Sequence, residues 1–534
     1  MILLIILKIG VDMFYNSNYD FNNCISMGAC SVSPNISSMQ ELMQVILRQI
    51  AYYISKLKEF NVEKEDISYN LILEIAYGDA VKDLSEAQIL NAFSKEYNNL
   101  VHVRKDYLKL CKEKGLVCAD LKHLIKLSPK TSLSEILKMG DREFLQKYKK
   151  VRSNQKYFSE ILYLIMKSVC SNIILLKDFG EVDNNSVSMV IDALNLFNNS
   201  RINTDTMKKM AEILATCDIE LLRKINDLRI EKYGHIEKTV VSHSTQKGKA
   251  ILVSGSNLHD LDLLLNAVKG SDIAVYTNGN LLIAHAFPYF KRFKNLKGHF
   301  GTGTVSTILD FATFPGAILL TKNESQNIEY LYRGRLFTTD KIAPKGVVKI
   351  VGSDFSELIS SALQAKGFAK GQKREPQIVG YDSLELDLQI NKIFEKNPER
   401  IYIIGLSNLS VFQKDYFNKF YSLIGENDVA ITFSYNPNLK NVFAYNLGDD
   451  YSLLYEVLHK IFDKIPVSSS KLMFFLTKCD INSLSNIINL KNNGAKQIFL
   501  SDCPPTVVNP AVLRAFAKFF EIKNITTPEN DLQL

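Results

Sequence analysis

After Tyr233-Gly-His235 the chain changes texture, and the pattern from there to the C-terminus constrains the fold more than anything before it. Short β-branched runs, Ala250 to Ser254, Ile273 to Thr277, Ala317 to Thr321 and Val347 to Val351, are separated by amphipathic segments such as Leu258 to Val268. A Gly/Lys-rich stretch from Lys366 to Glu375 reads as a linker. The alternation then resumes with Ile401 to Ile404, Val429 to Phe433, Leu472 to Leu476 and Gln497 to Leu500, and closes on a helix from Pro510 to Phe520. Strands that alternate with helices pack as parallel sheets covered on both faces, so two successive α/β units are expected.

The first part of the chain reads differently. From about Ser38 to Leu228 apolar residues recur at helical spacing, as in Leu42, Val45, Ile46, Ile50 and Tyr53, and glycine is scarce. Ser85-Glu-Ala-Gln88 and Ser132-Leu-Ser-Glu135 have the form of capping boxes, Asp66 and Ser68 precede another helix, and Gly115 ends a lysine-rich one. The expected organisation is an N-terminal extension over 1–37, a helical bundle over 38–235, a first α/β domain over 236–375 and a second over 376–534.

Composition narrows the function classes. With 534 residues, 46% hydrophobic and 23% charged, the chain is globular rather than disordered or fibrous. A net charge of +7 spread over that length, with no dense basic run among aromatics, gives no support for nucleic-acid binding. Eight cysteines are too sparse for a disulfide scaffold, which points to a reducing, cytoplasmic setting. The apolar Met1 to Ile9 is too short to span a bilayer and lacks a signal peptide's basic start and cleavage site, so no membrane span is expected. It stands either as an N-terminal extension or as a buried first element.

Few motifs carry chemistry. Gly301-Thr-Gly303 has too few glycines for a dinucleotide loop and no Gly-Lys-Ser/Thr for a P-loop, so it reads as a tight turn. No paired histidine spacing suggests zinc, and His285 and His299 read as hydrogen-bonded structural residues beside a pocket. No GxSxG is present. Cys24 and Cys30, in Cys24-Ile-Ser-Met-Gly-Ala-Cys30, stand as a free thiol pair or as half of an iron–sulfur site.

Several ordered segments together resemble the hybrid-cluster proteins, also called prismane proteins or hydroxylamine reductases, relatives of the nickel carbon monoxide dehydrogenases. The resemblance rests on Tyr233-Gly-His235, Lys249-Ala-Ile-Leu-Val-Ser-Gly255 with Asp260-Leu261, Val275-Tyr-Thr277 with Gly279, and Ala284-His285. It continues through His299-Phe-Gly-Thr302, Phe314-Pro-Gly-Ala-Ile-Leu-Leu-Thr321, Tyr332-Arg-Gly-Arg-Leu-Phe-Thr-Thr339, Asp354-Phe-Ser356 and Gly367-Phe368. It implies a helical N-terminal domain followed by two Rossmann-like α/β domains.

The resemblance also implies an iron cluster bridged by oxygen and sulfur and held by His, Glu and Cys. At the positions that match those ligands this chain carries Ser256, Asn280, Glu324, Ser407, Tyr435, Asp450 and Asp480. Hard oxygen donors in place of thiolates remove the basis for such a cluster. Cys24 and Cys30 match the last two of the family's four N-terminal cysteines, while Tyr15 and Asn18 stand at the first two. The expectation is a non-catalytic pseudoenzyme without a resident cofactor, its replaced positions, with Asn278, lining a wet cavity. An iron–sulfur cluster bridging two subunits through Cys24 and Cys30 is the one cofactor this pattern leaves open, in a homodimer or a complex with an intact relative. The alternatives are an active hydroxylamine or nitric oxide reductase, with Cys479 beside the site and Cys503 as spare thiolates, and a carboxylate metal site built from Glu324, Asp450 and Asp480.

Overall fold

Apolar residues spaced by three and four build the first helix among the described residues, α1 (Pro34–Lys58), whose Leu42, Val45, Ile46, Ile50 and Tyr53 are all buried. The computed structural model describes residues 34–77, 85–128, 130–149, 154–199, 202–301, 307–321, 334–340, 343, 346–405, 409, 411–433, 439–477, 481–501 and 510–533. Six more helices precede the first strand among them: α2 (Glu65–Tyr77), α3 (Glu86–Glu113), α4 (Leu133–Lys149), α5 (Asn154–Lys177), α6 (Asn184–Leu196) and α7 (Thr204–Tyr233). Both expected capping boxes form. The Ser85 hydroxyl accepts the Gln88 amide at 3.3 Å while Gln88 returns an acceptor to the Ser85 amide at 2.9 Å, and Ser132 and Glu135 exchange the same pair. Gly115, at φ 65°, lets the chain leave α3.

By internal contacts the chain divides into two units, one of residues 1–167, 187–213 and 504–520, the other of 168–186, 214–503 and 521–534. In the first, α1 packs against α3 and α4. It also gathers the irregular segment that follows α3. Tyr52 donates to the Ala119 carbonyl at 2.8 Å, and Gln49 donates to the His123 carbonyl at 2.9 Å and accepts the Ile125 amide at 3.1 Å. Backbone without a ladder needs such side-chain partners. Within α5, Phe158–Lys177 is long and apolar enough to cross a membrane, a feature that the reading of Met1 to Ile9 overlooked; 78% of its most apolar window is buried within the protein.

The second unit holds two six-stranded parallel sheets. The first runs β4 (Leu296–His299), β3 (Ala274–Asn278), β2 (Ala250–Ser254), β5 (Ala317–Leu320), β6 (Leu336–Thr338), β7 (Val348–Lys349). The second runs β11 (Val442–Ala444), β10 (Val429–Thr432), β9 (Ile401–Ile404), β12 (Leu472–Leu476), β13 (Gln497–Leu500), β14 (Lys523–Asn524). Numbered within its own sheet, each has the order 3-2-1-4-5-6 of a doubly wound fold. Every residue of β2, β3, β5, β9, β10 and β12 is buried. Coverage on both faces is why these strands read as unbroken apolar runs rather than as an alternation.

Two features depart from the sequence reading. A small antiparallel ribbon pairs β1 (Thr239–Val241) with β8 (Gln377–Val379), Thr239 opposite Val379. The supposed linker from Lys366 to Glu375 is no free tether: Phe368 and Gln372 form bridges with Gly248 and Thr245, and the Phe368 ring packs on the core of the first sheet. Glycine and lysine made the segment look mobile, but backbone pairing does not register in composition.

Candidate functional site

β2, which borders β5 where the first sheet's strand order reverses, runs into Ser254-Gly255-Ser256, and its other neighbour β3 runs into Asn278-Gly279-Asn280. Gly255 has φ 116°, and a Cβ there would lie 2.2 Å from the Thr321 carbonyl oxygen. Its own carbonyl accepts the Leu281 amide at 3.0 Å. This close approach is open only to glycine, and it fixes Ser256 one residue before Asn257, the cap of α8 (Leu258–Ala267). The Asn257 side chain accepts the His259 amide at 2.9 Å and donates to Asp178 at 2.9 Å.

In open α/β sheets the crevice outside the carboxyl ends of the strands is where ligands bind. There the second unit holds a cavity of about 230 Å³. Ser256 and Asn280 come from the first sheet; Asp449, Asp450, Tyr451 and Ser452 enter at the start of α9 (Tyr451–Phe462), and Ile481 and Asn482 at the start of α10 (Ile481–Asn492). One face of α5 adds Ser171, Asn172 and Leu175, and one face of α7 adds Leu222, Ile225 and Arg229, each set at helical spacing.

A buried ion pair anchors the wall. Arg229 Nη1 donates to Asp450 Oδ2 and to the Ser452 hydroxyl, each at 2.7 Å, and the two side chains are only 4% and 10% exposed. Asp450 is also the N-cap of α9, accepting the Ser452 and Leu453 amides at 2.9 and 3.2 Å. Burial pushes its carboxyl up, but Arg229 and those hydrogen bonds outweigh burial and hold it below the ordinary carboxylate value. Behind Asn172 lies a further buried carboxyl, Asp218, which accepts from the Asn172 amide at 2.8 Å and from the Ser168 hydroxyl at 2.6 Å.

Of the residues singled out from sequence, Ser256, Asn280 and Asp450 therefore meet in one cavity. Asn278 does not line it: its side chain accepts from the Ser254 hydroxyl at 2.8 Å and donates to the Phe300 carbonyl at 2.7 Å. Cys24, Cys30, Glu324, Ser407, Tyr435, Cys479, Asp480 and Cys503 lie outside the described residues. Arg229, Asn172, Asp449 and Asn482 escaped the sequence reading. Arg229 left a signal, a lone guanidinium in the register of the buried Leu222 and Ile225.

Among the described residues the lining offers hydroxyls, amides, carboxylates and one guanidinium, but no cysteine or histidine. Cys170 and Cys217 are buried elsewhere in the unit, Cys217 donating to the Ser186 hydroxyl at 3.2 Å. The described part of the lining thus supplies no thiolate for a sulfur-ligated iron cluster, and the Asp450 carboxylate is engaged by Arg229.

The histidines hold a separate network. The Thr277 hydroxyl contacts His285 Nε2 and His299 Nδ1, both at 2.9 Å, and the His243 ring meets His299 edge-on at 5.3 Å. His285 also lines a second cavity of about 270 Å³ with Lys291 and Phe293. Burial, with His243 beside it, lowers His285 to about 4, and His299 shifts the same way. The native state thus binds fewer protons than the unfolded chain between about pH 4 and 6.5, so stability is full above that window and falls as the pH drops through it. His285→Gln is expected to flatten that acid slope, worth on the order of 2 kcal/mol, in urea midpoints measured from neutral to acid pH. An unchanged slope would place the titration elsewhere. Gly301, at φ 113°, turns tightly against Asp310, while Thr302 to Ser306 lie outside the described residues.

The profile of the Prismane/CO dehydrogenase family matches residues 20–433, well over half of the chain. The chain belongs to the prismane/CO dehydrogenase family. Within it, a hydroxylamine reductase of Thermodesulfovibrio yellowstonii is 25% identical over 535 aligned residues, covering 96% of this chain and 97% of the relative. Another hydroxylamine reductase, from Methanocella arvoryzae, is 24% identical with the same coverage. Carbon monoxide dehydrogenase IV of Carboxydothermus hydrogenoformans aligns with 97% of this chain and 89% of its own at 12% identity and a TM-score of 0.48. The prismane/CO dehydrogenase profile thus runs from ahead of Cys24 to the end of β10.

Proposed function

We propose that this chain is a hydroxylamine-reductase relative, a helical domain followed by two Rossmann-like domains, that has lost the hybrid iron–sulfur–oxygen cluster and serves as a non-catalytic binding protein. The observation that carries the reading is the Arg229–Asp450–Ser452 network: a guanidinium is fixed beside a position where the family resemblance implies a cluster ligand. With Asp450 tied to Arg229 it does not serve as a cluster ligand, and the polar lining favours a small polar occupant held by Ser256, Asn280 and Asn482. Cys24 and Cys30 are proposed to hold, at most, a cluster shared between two subunits.

Anaerobic purification with iron and acid-labile sulfide analysis, on the native chain and on Cys24→Ser, tests this. Near-zero iron and sulfide are expected. About two irons per chain that vanish in Cys24→Ser would establish the bridging cluster and an electron-transfer role. Iron retained by the variant, with hydroxylamine reduction, would overturn the non-catalytic reading.

A further inference from the structure

Two free thiols meet where α3 ends. Cys111 sits in the last turn of that helix, and the chain then reverses: the Gly115 amide bonds the Lys112 carbonyl at 3.2 Å and the Leu116 amide bonds the Cys111 carbonyl at 2.9 Å, the paired bonds that close a helix on a glycine. The returning segment runs back along α3. Its Asp120 carboxylate accepts from Arg104 Nη2 and Nε at 2.6 and 3.2 Å, and its Ala119 amide donates to the Tyr107 hydroxyl at 3.1 Å, while Tyr52 of α1 donates to the Ala119 carbonyl at 2.8 Å. Arg104, Tyr107 and Cys111 are spaced by three and four, so they form one stripe of the helix. With Asp120 on Arg104 and Ala119 on Tyr107, the next residue back, Cys118, falls on Cys111, and the two thiols share a hydrogen bond. Their exposure differs: Cys111 is 1% exposed, whereas Cys118 is half-buried.

From this placement we propose that Cys111 and Cys118 form a dithiol modification site, closed to an intramolecular disulfide by exchange with a small-molecule disulfide. Cys118, the accessible thiol, reacts first: its thiolate attacks the small disulfide, forming a mixed disulfide and releasing one small thiolate. The Cys111 thiol passes its proton to that released thiolate, and its sulfur then attacks the Cys118 sulfur and expels the second small thiolate, which takes up the proton that Cys118 lost. The two protein thiols thus lose two electrons and two protons, and the small disulfide is reduced to two thiols. Burial shields Cys111 from external reagents and leaves Cys118 as the sulfur within its reach. The hydrogen bond with Cys111, and then burial, raise the Cys118 thiol to about 11, so exchange is slow at neutral pH and quickens in alkali as the thiolate fraction grows. Neither the cavity residues nor Cys24 and Cys30 take part, so the site stands whether or not iron is bound.

The full chain, reduced and then freed of reductant under nitrogen, is incubated with glutathione disulfide at about pH 9, quenched with N-ethylmaleimide and digested with trypsin without reduction. Cleavage after Lys109, Lys112, Lys114 and Lys122 puts the two thiols on separate peptides, Leu110–Lys112 and Gly115–Lys122, so the disulfide is read in mass spectra as a linked pair. That linked pair is expected as the main product of the two peptides, and dithiothreitol is expected to restore both thiols. In Cys111→Ser the glutathione is expected to remain on Cys118, and in Cys118→Ser Cys111 is expected to react at least about tenfold more slowly than Cys118 does in Cys111→Ser. Circular dichroism confirms that each variant is folded, and the linked pair from the native chain needs no variant. A glutathione adduct that persists on Cys118 of the native chain, Cys111 linked to any other cysteine, or both peptides recovered as free thiols overturns the site. So does Cys111 reacting in Cys118→Ser as fast as Cys118 in Cys111→Ser.

Discussion

Replacing Asp450 with alanine is expected to destabilise the protein by about 3–5 kcal/mol, far beyond an ordinary surface change. Arg229 is then left as a buried cation with only the Ser452 hydroxyl, and α9 loses its N-cap acceptor. Asp450→Asn, which keeps a cap oxygen but removes the charge, is expected to fall between the native protein and the alanine variant. The double variant Arg229→Leu/Asp450→Ala is expected to lose less than the two single changes summed, because neither charge is stranded. The exposed pair Lys460–Asp387, at 38% and 62% side-chain exposure, supplies the contrast: its removal is expected to cost within about 1 kcal/mol. Urea unfolding of these variants, with Arg229→Leu alone completing the cycle, measures all of this. A loss for Asp450→Ala no larger than that for the exposed pair would mean that the Arg229 site is hydrated.

The second large effect is expected at Gly255. An alanine methyl group would sit 2.2 Å from the Thr321 carbonyl oxygen and 2.4 Å from its hydroxyl, at a φ of 116° that side chains rarely adopt. Thr321 has no room to retreat, because its amide and its hydroxyl both bond the Ser254 carbonyl, at 2.9 and 3.0 Å. Gly255→Ala is expected to cost about 2–4 kcal/mol and to displace Ser256 from the cavity wall. Gly270→Ala, also at positive φ but with open space around the added carbon, is expected to cost only about 1 kcal/mol. Equal losses at the two positions in thermal or urea unfolding would show that backbone conformation, not the contact with Thr321, sets the cost.

Much of the architecture was legible in the residues. Strand runs such as Ala250 to Ser254 and Leu472 to Leu476 agree with β2 and β12 end to end, because a strand buried on both faces writes itself as a continuous apolar run. The capping boxes at Ser85 and Ser132 were legible because the partners lie three residues apart. The edge strands β4, β11 and β14, the three-residue β6 and the β1/β8 ribbon were missed, being only two to four residues long. The segment from Lys366 to Glu375 was misread because what holds it, backbone bridges to Thr245 and Gly248, depends on residues more than a hundred positions away.

The site divides along the same line. Local order and composition determined that this chain carries a helical region and two parallel sheets, and the ordered segments pointed to its family. They also marked Ser256 and Asn280, which follow recognisable segments, and Asp450, placed only by extending the alignment beyond them. Only the tertiary structure decided that these three share a cavity, and that Arg229, 221 residues from Asp450, is the charge that neutralises it. Periodicity reports which face of an element is apolar, whereas the partner of a buried charge is set by where two distant elements meet, and no local pattern in this chain encodes that meeting.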